Sequence, residues 1–243
     1  MAESNPIGEA SVVLLAHPPP LPVVPADRAV AAARAYAAHR RGRVAFAVVD
    51  SHGRMRGRNS SRTYASASVI KAMLLVATLE QAGATPLSAH EQRILDPMIR
   101  RSSNTAARRV YRRLGPGPVL RLARRAHMRR FAMPALFEAR IDAADQARFF
   151  VRLDALVPEA HRHYARKLLG GVVPEQRWGI PQGVGPGWRV YMKGGWREGL
   201  VHQVALVEGP GGVAFSLAVL TDKDPSEHYG HETVRDIAQL LVG

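Results

Sequence analysis

The chain contains no cysteine. That excludes disulfides, thiolate-bound zinc and a cysteine nucleophile. Aromatic residues make up only 6%, and they are not interleaved with the basic residues, so a stacking platform for nucleic acid is not expected. No apolar run reaches the length of a membrane span. Histidines and carboxylates form no cluster with metal-ligand spacing; His161 and His163 stand two apart on a helical pattern and point to different faces. Lysine is scarce as well, four against thirty arginines. Any lysine in an apolar context therefore calls for an explanation.

What is present is an ordinary globular composition, 47% hydrophobic over 243 residues, enough for a sizeable core. The net charge of +14 favours anionic partners such as cell-wall polymers. Much of it sits on helical segments (Arg108, Arg109, Arg112, Arg113, Arg124, Arg125), where arginines also simply coat exposed faces. Residues 11–16 are apolar but follow Glu3 and Glu9 with no basic residue, unlike a secretory signal. The proline-rich stretch after them completes an expected flexible leader, residues 1–25.

Beyond the leader, Asp27 is placed to cap a helix over 28–40. Val44–Asp50 and 54–58 read as a hairpin around Ser51-His52-Gly53. Ser68–Leu79 is apolar on all sides, the pattern of a buried helix. Helical patterns follow at 88–100, 104–114, 117–127, 143–153 (with Asp142 as its cap) and 158–169. Strands return at 188–194, 201–208 and 213–220, the last two joined by Gly209-Pro210-Gly211-Gly212, before a helix over 226–242. Strands at both ends must share one sheet to bury their apolar faces. The expectation is an α+β fold: an antiparallel five-stranded sheet with flanking terminal helices (26–62 and 186–243), an all-helical lobe (63–185), and a cleft between them.

Lys71 lies one turn into the apolar helix, where a charged amine is expensive to bury. Desolvation drives it toward the neutral form that a general base needs, which arginine cannot reach. Ser68, three residues earlier, shares its helical face. A hydroxyl beside a poised amine is a nucleophile with its base. A helix-capping serine and a lysine reaching out to solvent would spell the same S-x-x-K.

Two further segments bear on that choice. Ser102-Ser103-Asn104 precedes a helix, where capping is the ordinary role. Lys193-Gly194-Gly195-Trp196 closes a predicted strand and otherwise reads as a turn. In this order the three segments resemble the S-x-x-K, S-D-N and K-T-G signature of class A β-lactamases and penicillin-binding proteins. The resemblance extends over most of residues 26–243. It implies that Ser68 is acylated, that Lys71 takes its proton, and that Ser102 relays a proton to the leaving nitrogen. Asn104 would hold the substrate amide. Lys193, with Gly194 and Gly195, would meet a substrate carboxylate, and the N–H groups of Ser68 and Trp196 would form an oxyanion hole.

Three departures stand out. The gap from Ser68 to Ser102 is shorter than in class A enzymes, so an insertion that walls one side of their cleft is missing. Gly194 replaces the hydroxyl residue of K-T-G. No loop carrying a deacylating glutamate is recognisable before Asp142; Glu138 is the nearest acidic candidate. The implied substrates are β-lactams or peptidoglycan stem peptides, turned over without a cofactor by a monomer of the cell envelope or exterior, although no convincing signal peptide is visible. A binding or sensor module that is acylated without turnover stays open, and specific nucleic-acid binding is not expected.

Overall fold

The structure, a computed structural model, describes residues 24–242; nearly all of the expected leader lies outside them. Helix α1 (Asp27–His39) is followed by strands β1 (Arg43–Asp50), β2 (Met55–Arg58) and β3 (Thr63–Ala65). A short 3-10 turn, Ala67–Val69, leads into α2 (Ile70–Ala82), α3 (Ala89–Arg100), α4 (Asn104–Leu114) and α5 (Pro116–Arg125). Then come β4 (Arg140–Asp142), α6 (Ala143–Val151), α7 (Leu153–Leu156), α8 (Glu159–Gly170) and α9 (Ile180–Val184). Strands β5 (Arg189–Arg197), β6 (Leu200–Glu208) and β7 (Ala214–Asp222) precede the last helix, α10 (Glu227–Val242).

Five strands form one antiparallel sheet in the order β2-β1-β7-β6-β5, the predicted fold. The inner strands read as nearly continuous apolar runs because both of their faces are covered. On β1, Ala45, Ala47 and Val49 pack toward the helical bundle, while Val44, Phe46 and Val48 pack toward the terminal helices. Helix α2 runs through the bundle with every residue from Ile70 to Leu79 buried, which is why its sequence shows no polar face. Helix α4 is the opposite case: Ala107, Val110 and Leu114 face inward, and its arginines face out.

Local chemistry fixes the joints. Asp142 caps α6, its Oδ1 accepting from the Asp145 N–H at 2.7 Å, a contact worth about 1 kcal/mol. Asp27, predicted as a cap, is instead the first residue of α1, and Ala26 holds the cap position without a side-chain bond. The Asp27 carboxylate is drawn away by Arg56 at 2.6 Å and Arg54 at 3.2 Å. The predicted helix from Ser68 also starts later, because residues 67–69 form the tighter 3-10 turn. Strand β5 does not stop at Gly194: Gly194 and Gly195 stay in register with Gln203 and His202. The sequence reading missed α7, α9 and the small sheet of β3 and β4.

Candidate active site

The site is assembled where the turn before α2, the α3–α4 junction and β5 meet. Ala67 (φ 43°) and Ser102 (φ 55°) both take the left-handed conformation, at a cost on the order of 1–2 kcal/mol each. Their surroundings hold them there. The small β3–β4 sheet pairs Ala65 with Arg140 and continues beyond its last rung: Ser66 N–H donates to Ala139 O at 2.8 Å, and Ala67 N–H to Phe137 O at 3.1 Å. His202, buried on β6, completes the support. Thr221 N–H donates to its Nδ1 at 3.2 Å, so the proton sits on Nε2 and is given to Ala65 O at 3.0 Å. Burial lowers its pKa to about 4, which keeps the ring neutral.

Lys71 is fully buried. Its Nζ lies 2.7 Å from Ser68 Oγ, 2.5 Å from Ser102 O, 3.1 Å from Ser102 Oγ and 2.7 Å from Asn104 Oδ1. None of these groups is a carboxylate. Burial, followed by the positive charge of Arg108, lowers its pKa to about 7. At neutral pH roughly half of the amine is then free to accept a proton. The capping role expected of this segment falls to Ser103, whose Oγ accepts from Ala106 N–H at 3.2 Å. That leaves Ser102 and Asn104 free to face the lysine.

The edge strand β5 closes the other side. A β-carbon on Gly195 would lie 2.7 Å from Ser68 N and 2.9 Å from Val69 N, so only glycine lets the strand backbone approach the Ser68 amide. Trp196 follows, half-buried, its ring edge-on to Trp178 at 5.8 Å. The structure thus brings Ser68, Ser102 and Asn104 together around Lys71, with Gly195 and Trp196 on the neighbouring strand.

Lys193 lies on β5. It is fully buried and its Nζ donates to Gly194 O at 2.7 Å, with no bond to Ser102. Desolvation, then the charge of Lys71, pulls its pKa well below the usual lysine value. The exposed carboxylate of Glu138 pairs with Arg197 at 2.6 Å and makes no bond to Ser68 or Lys71. The residue this loop presents to the lysine is Phe137, its ring centroid 5.3 Å from Nζ.

Sequence reasoning missed Phe137, Arg108 and Trp178. The only signal was the position of Arg108 on the α4 turn after Asn104. Among the described residues, no group of three or more histidines and carboxylates is placed to hold a metal ion.

The family model described as "Beta-lactamase enzyme family" matches residues 92–243, more than half of the chain. The chain belongs to the β-lactamase enzyme family. The matched region holds Ser102, Asn104 and Lys193, while Ser68 and Lys71 precede it. No curated protein matches in sequence. Among solved structures, a β-lactamase from Sphaerobacter thermophilus is 22% identical with a TM-score of 0.75, covering 87% of this chain and 94% of that one. A class A β-lactamase from Mycobacterium abscessus is 18% identical with a TM-score of 0.75, covering 87% and 97%. A substituted form of PBP-A, solved as an acyl-enzyme complex with penicillin G, is 14% identical with a TM-score of 0.78, covering 88% and 94%. At these identities the likeness establishes the β-lactamase-type fold, while family membership makes the chain a β-lactamase-like hydrolase.

Proposed function

We propose that the protein is a serine acyl-transfer hydrolase that opens β-lactams or cleaves D-Ala-D-Ala-like amides through an acyl-Ser68 intermediate. The observation that carries this reading is the buried amine of Lys71 within hydrogen-bonding distance of Ser68 Oγ, Ser102 Oγ and Asn104 Oδ1. Neutral Lys71 takes the Ser68 proton as Oγ attacks the carbonyl. The proton passes through Ser102 to the leaving nitrogen, and Asn104 orients the substrate amide. The N–H groups of Ser68 and Trp196 receive the developing oxyanion. Burial disfavours the charged form of Lys193, and an arriving substrate carboxylate favours it and offsets its desolvation.

Deacylation needs a second base to activate water. Phe137 stands beside Lys71 and Glu138 is engaged by Arg197. These two observations favour a long-lived acyl-enzyme, in line with a D-alanyl-D-alanine peptidase or an acylation-only sensor more than with an efficient β-lactamase. Incubation with a fluorescent penicillin followed by intact-mass measurement tests the proposal. One covalent adduct is expected on the wild type and none on Ser68→Ala. A wild type that stays unlabelled under conditions that label another family member removes the reading.

A further inference from the structure

We infer that the groove between α4 and the loop preceding β4 receives the acyl portion of the substrate and favours one carrying an anionic group on an apolar stem. This rests on the acyl-enzyme reading above and specifies its substrate class. The groove encloses about 500 Å³ and is lined by Arg108, Tyr111 and Arg112 from α4 and by Leu136, Phe137 and Glu138 from the loop. Phe137 both lines the groove and stands beside Lys71. Phe137 lies 5.3 Å from Lys71 Nζ and, measured to the same centroid, 5.4 Å from the Arg108 guanidinium carbon. On this reading a chain leaving a carbonyl at Ser68 runs along Phe137, whose ring has both Lys71 and Arg108 as neighbours.

The lining divides by chemistry. Tyr111, Leu136 and Phe137 supply apolar surface for a stem, the exposed Arg108 stands over the Phe137 ring, and the exposed Arg112 adds a second positive charge to the lining. Neither arginine is in an ion pair among the described residues; the α4 pair is made by Arg113 with Glu91. The one carboxylate in the lining, Glu138, is held at 2.6 Å by Arg197 and does not neutralise them. A neutral acyl group uses only the apolar part, a cationic one is repelled, and an anionic one uses both. An exposed charge contact of this kind is worth about fivefold in rate or affinity.

Three penicillins that differ at one side-chain carbon provide the test: carbenicillin (carboxylate), benzylpenicillin (hydrogen) and ampicillin (ammonium). Second-order acylation rates of the full chain are measured by intact mass at low ionic strength. Carbenicillin is expected to react about fivefold faster than benzylpenicillin, with ampicillin slowest. The ratios should collapse toward one at high salt and in the double variant Arg108→Gln/Arg112→Gln. Taking ratios cancels any common effect of Arg108 on Lys71. Arg93→Glu, an equal charge change on α3 outside the groove, should keep the ordering. Equal rates for the three, or an ordering that survives the double substitution, overturn the inference while leaving the acyl-enzyme reading intact. No adduct from any of them overturns both.

Discussion

Trp178 lies directly over Gly194: a β-carbon built on that glycine would stand 3.3 Å from the indole. The ring is fixed from three sides, stacked on His231 at 4.0 Å, edge-on to Trp196, and anchored by Gln203, which accepts from Ile180 N–H and donates to Trp178 O. The indole thus fills the space that a side chain at position 194 would need, and this accounts for glycine where the family signature has a hydroxyl residue. Gly194→Thr is expected to destabilise the protein by about 1–3 kcal/mol through overpacking. In a Trp178→Leu background the same substitution should cost less, with a coupling on the order of 1 kcal/mol. Urea unfolding of the four proteins of this cycle measures it, and strict additivity would show that the indole is not what excludes the side chain.

Gly195 makes the tighter approach, against backbone instead of a ring. Because the Ser68 amide cannot swing aside as a side chain can, Gly195→Ala must push β5 away from the turn before α2. Loss of one oxyanion donor typically lowers turnover by about 100-fold or more, and displacement of the strand should do the same to acylation. The check is the rate of penicillin adduct formation, with circular dichroism and the Lys71 pH profile showing that the fold and the amine remain. Unchanged acylation would mean that β5 contributes no donor.

How far the sequence revealed this site depended on what each residue does. Ser68 and Lys71 were legible because they lie one helical turn apart on an apolar helix, whereas Ser102 and Asn104 were legible only through the resemblance of the three segments to the S-x-x-K, S-D-N and K-T-G signature. The long strands and helices were legible from hydrophobic period. Strands β3 and β4 were not, since three residues cannot show an alternation, yet they fix the Ser68 turn. Lys193-Gly194-Gly195 looked like a strand end because paired glycines usually mark turns; here they are demanded by Trp178 and Ser68 on opposite faces. Arg108 was hidden among thirty arginines, and nothing local distinguished Phe137 from any other apolar loop residue.

Arg108 should set the pH at which the enzyme acylates. Its charge adds to burial in lowering the Lys71 pKa to about 7. Removing a like charge favours the protonated amine, so Arg108→Gln raises that pKa and leaves less neutral lysine at any given pH. The acid limb of the acylation rate against pH should move upward, by a few tenths of a unit to about one unit. Stopped-flow acylation from pH 5 to 9 reads the shift directly. A limb that stays in place or moves down would show that Arg108 does not act on the lysine.

Phe137 offers the sharpest test of why the acyl-enzyme should persist. The ring centroid is 5.3 Å from Lys71 Nζ, and the main chain there is pinned by the bonds that Ala67 N–H and Ser66 Oγ give to Phe137 O. A carboxylate at this position would stand near Lys71, the hydrogen-bonding partner of Ser68, with its backbone already placed. Phe137→Glu should therefore do two opposite things. An anion near Lys71 favours the charged amine, raising its pKa and slowing acylation at neutral pH. The same anion can take a proton from water, and a positioned general base contributes about 100-fold or more; with unrefined geometry a gain of about tenfold in deacylation is expected. Intact-mass measurement of adduct formation and decay separates the two rates. Faster decay with slower formation is the predicted signature. If decay is unchanged while formation slows, the carboxylate acts on the lysine alone, and a carboxylate at position 137 is not what release lacks.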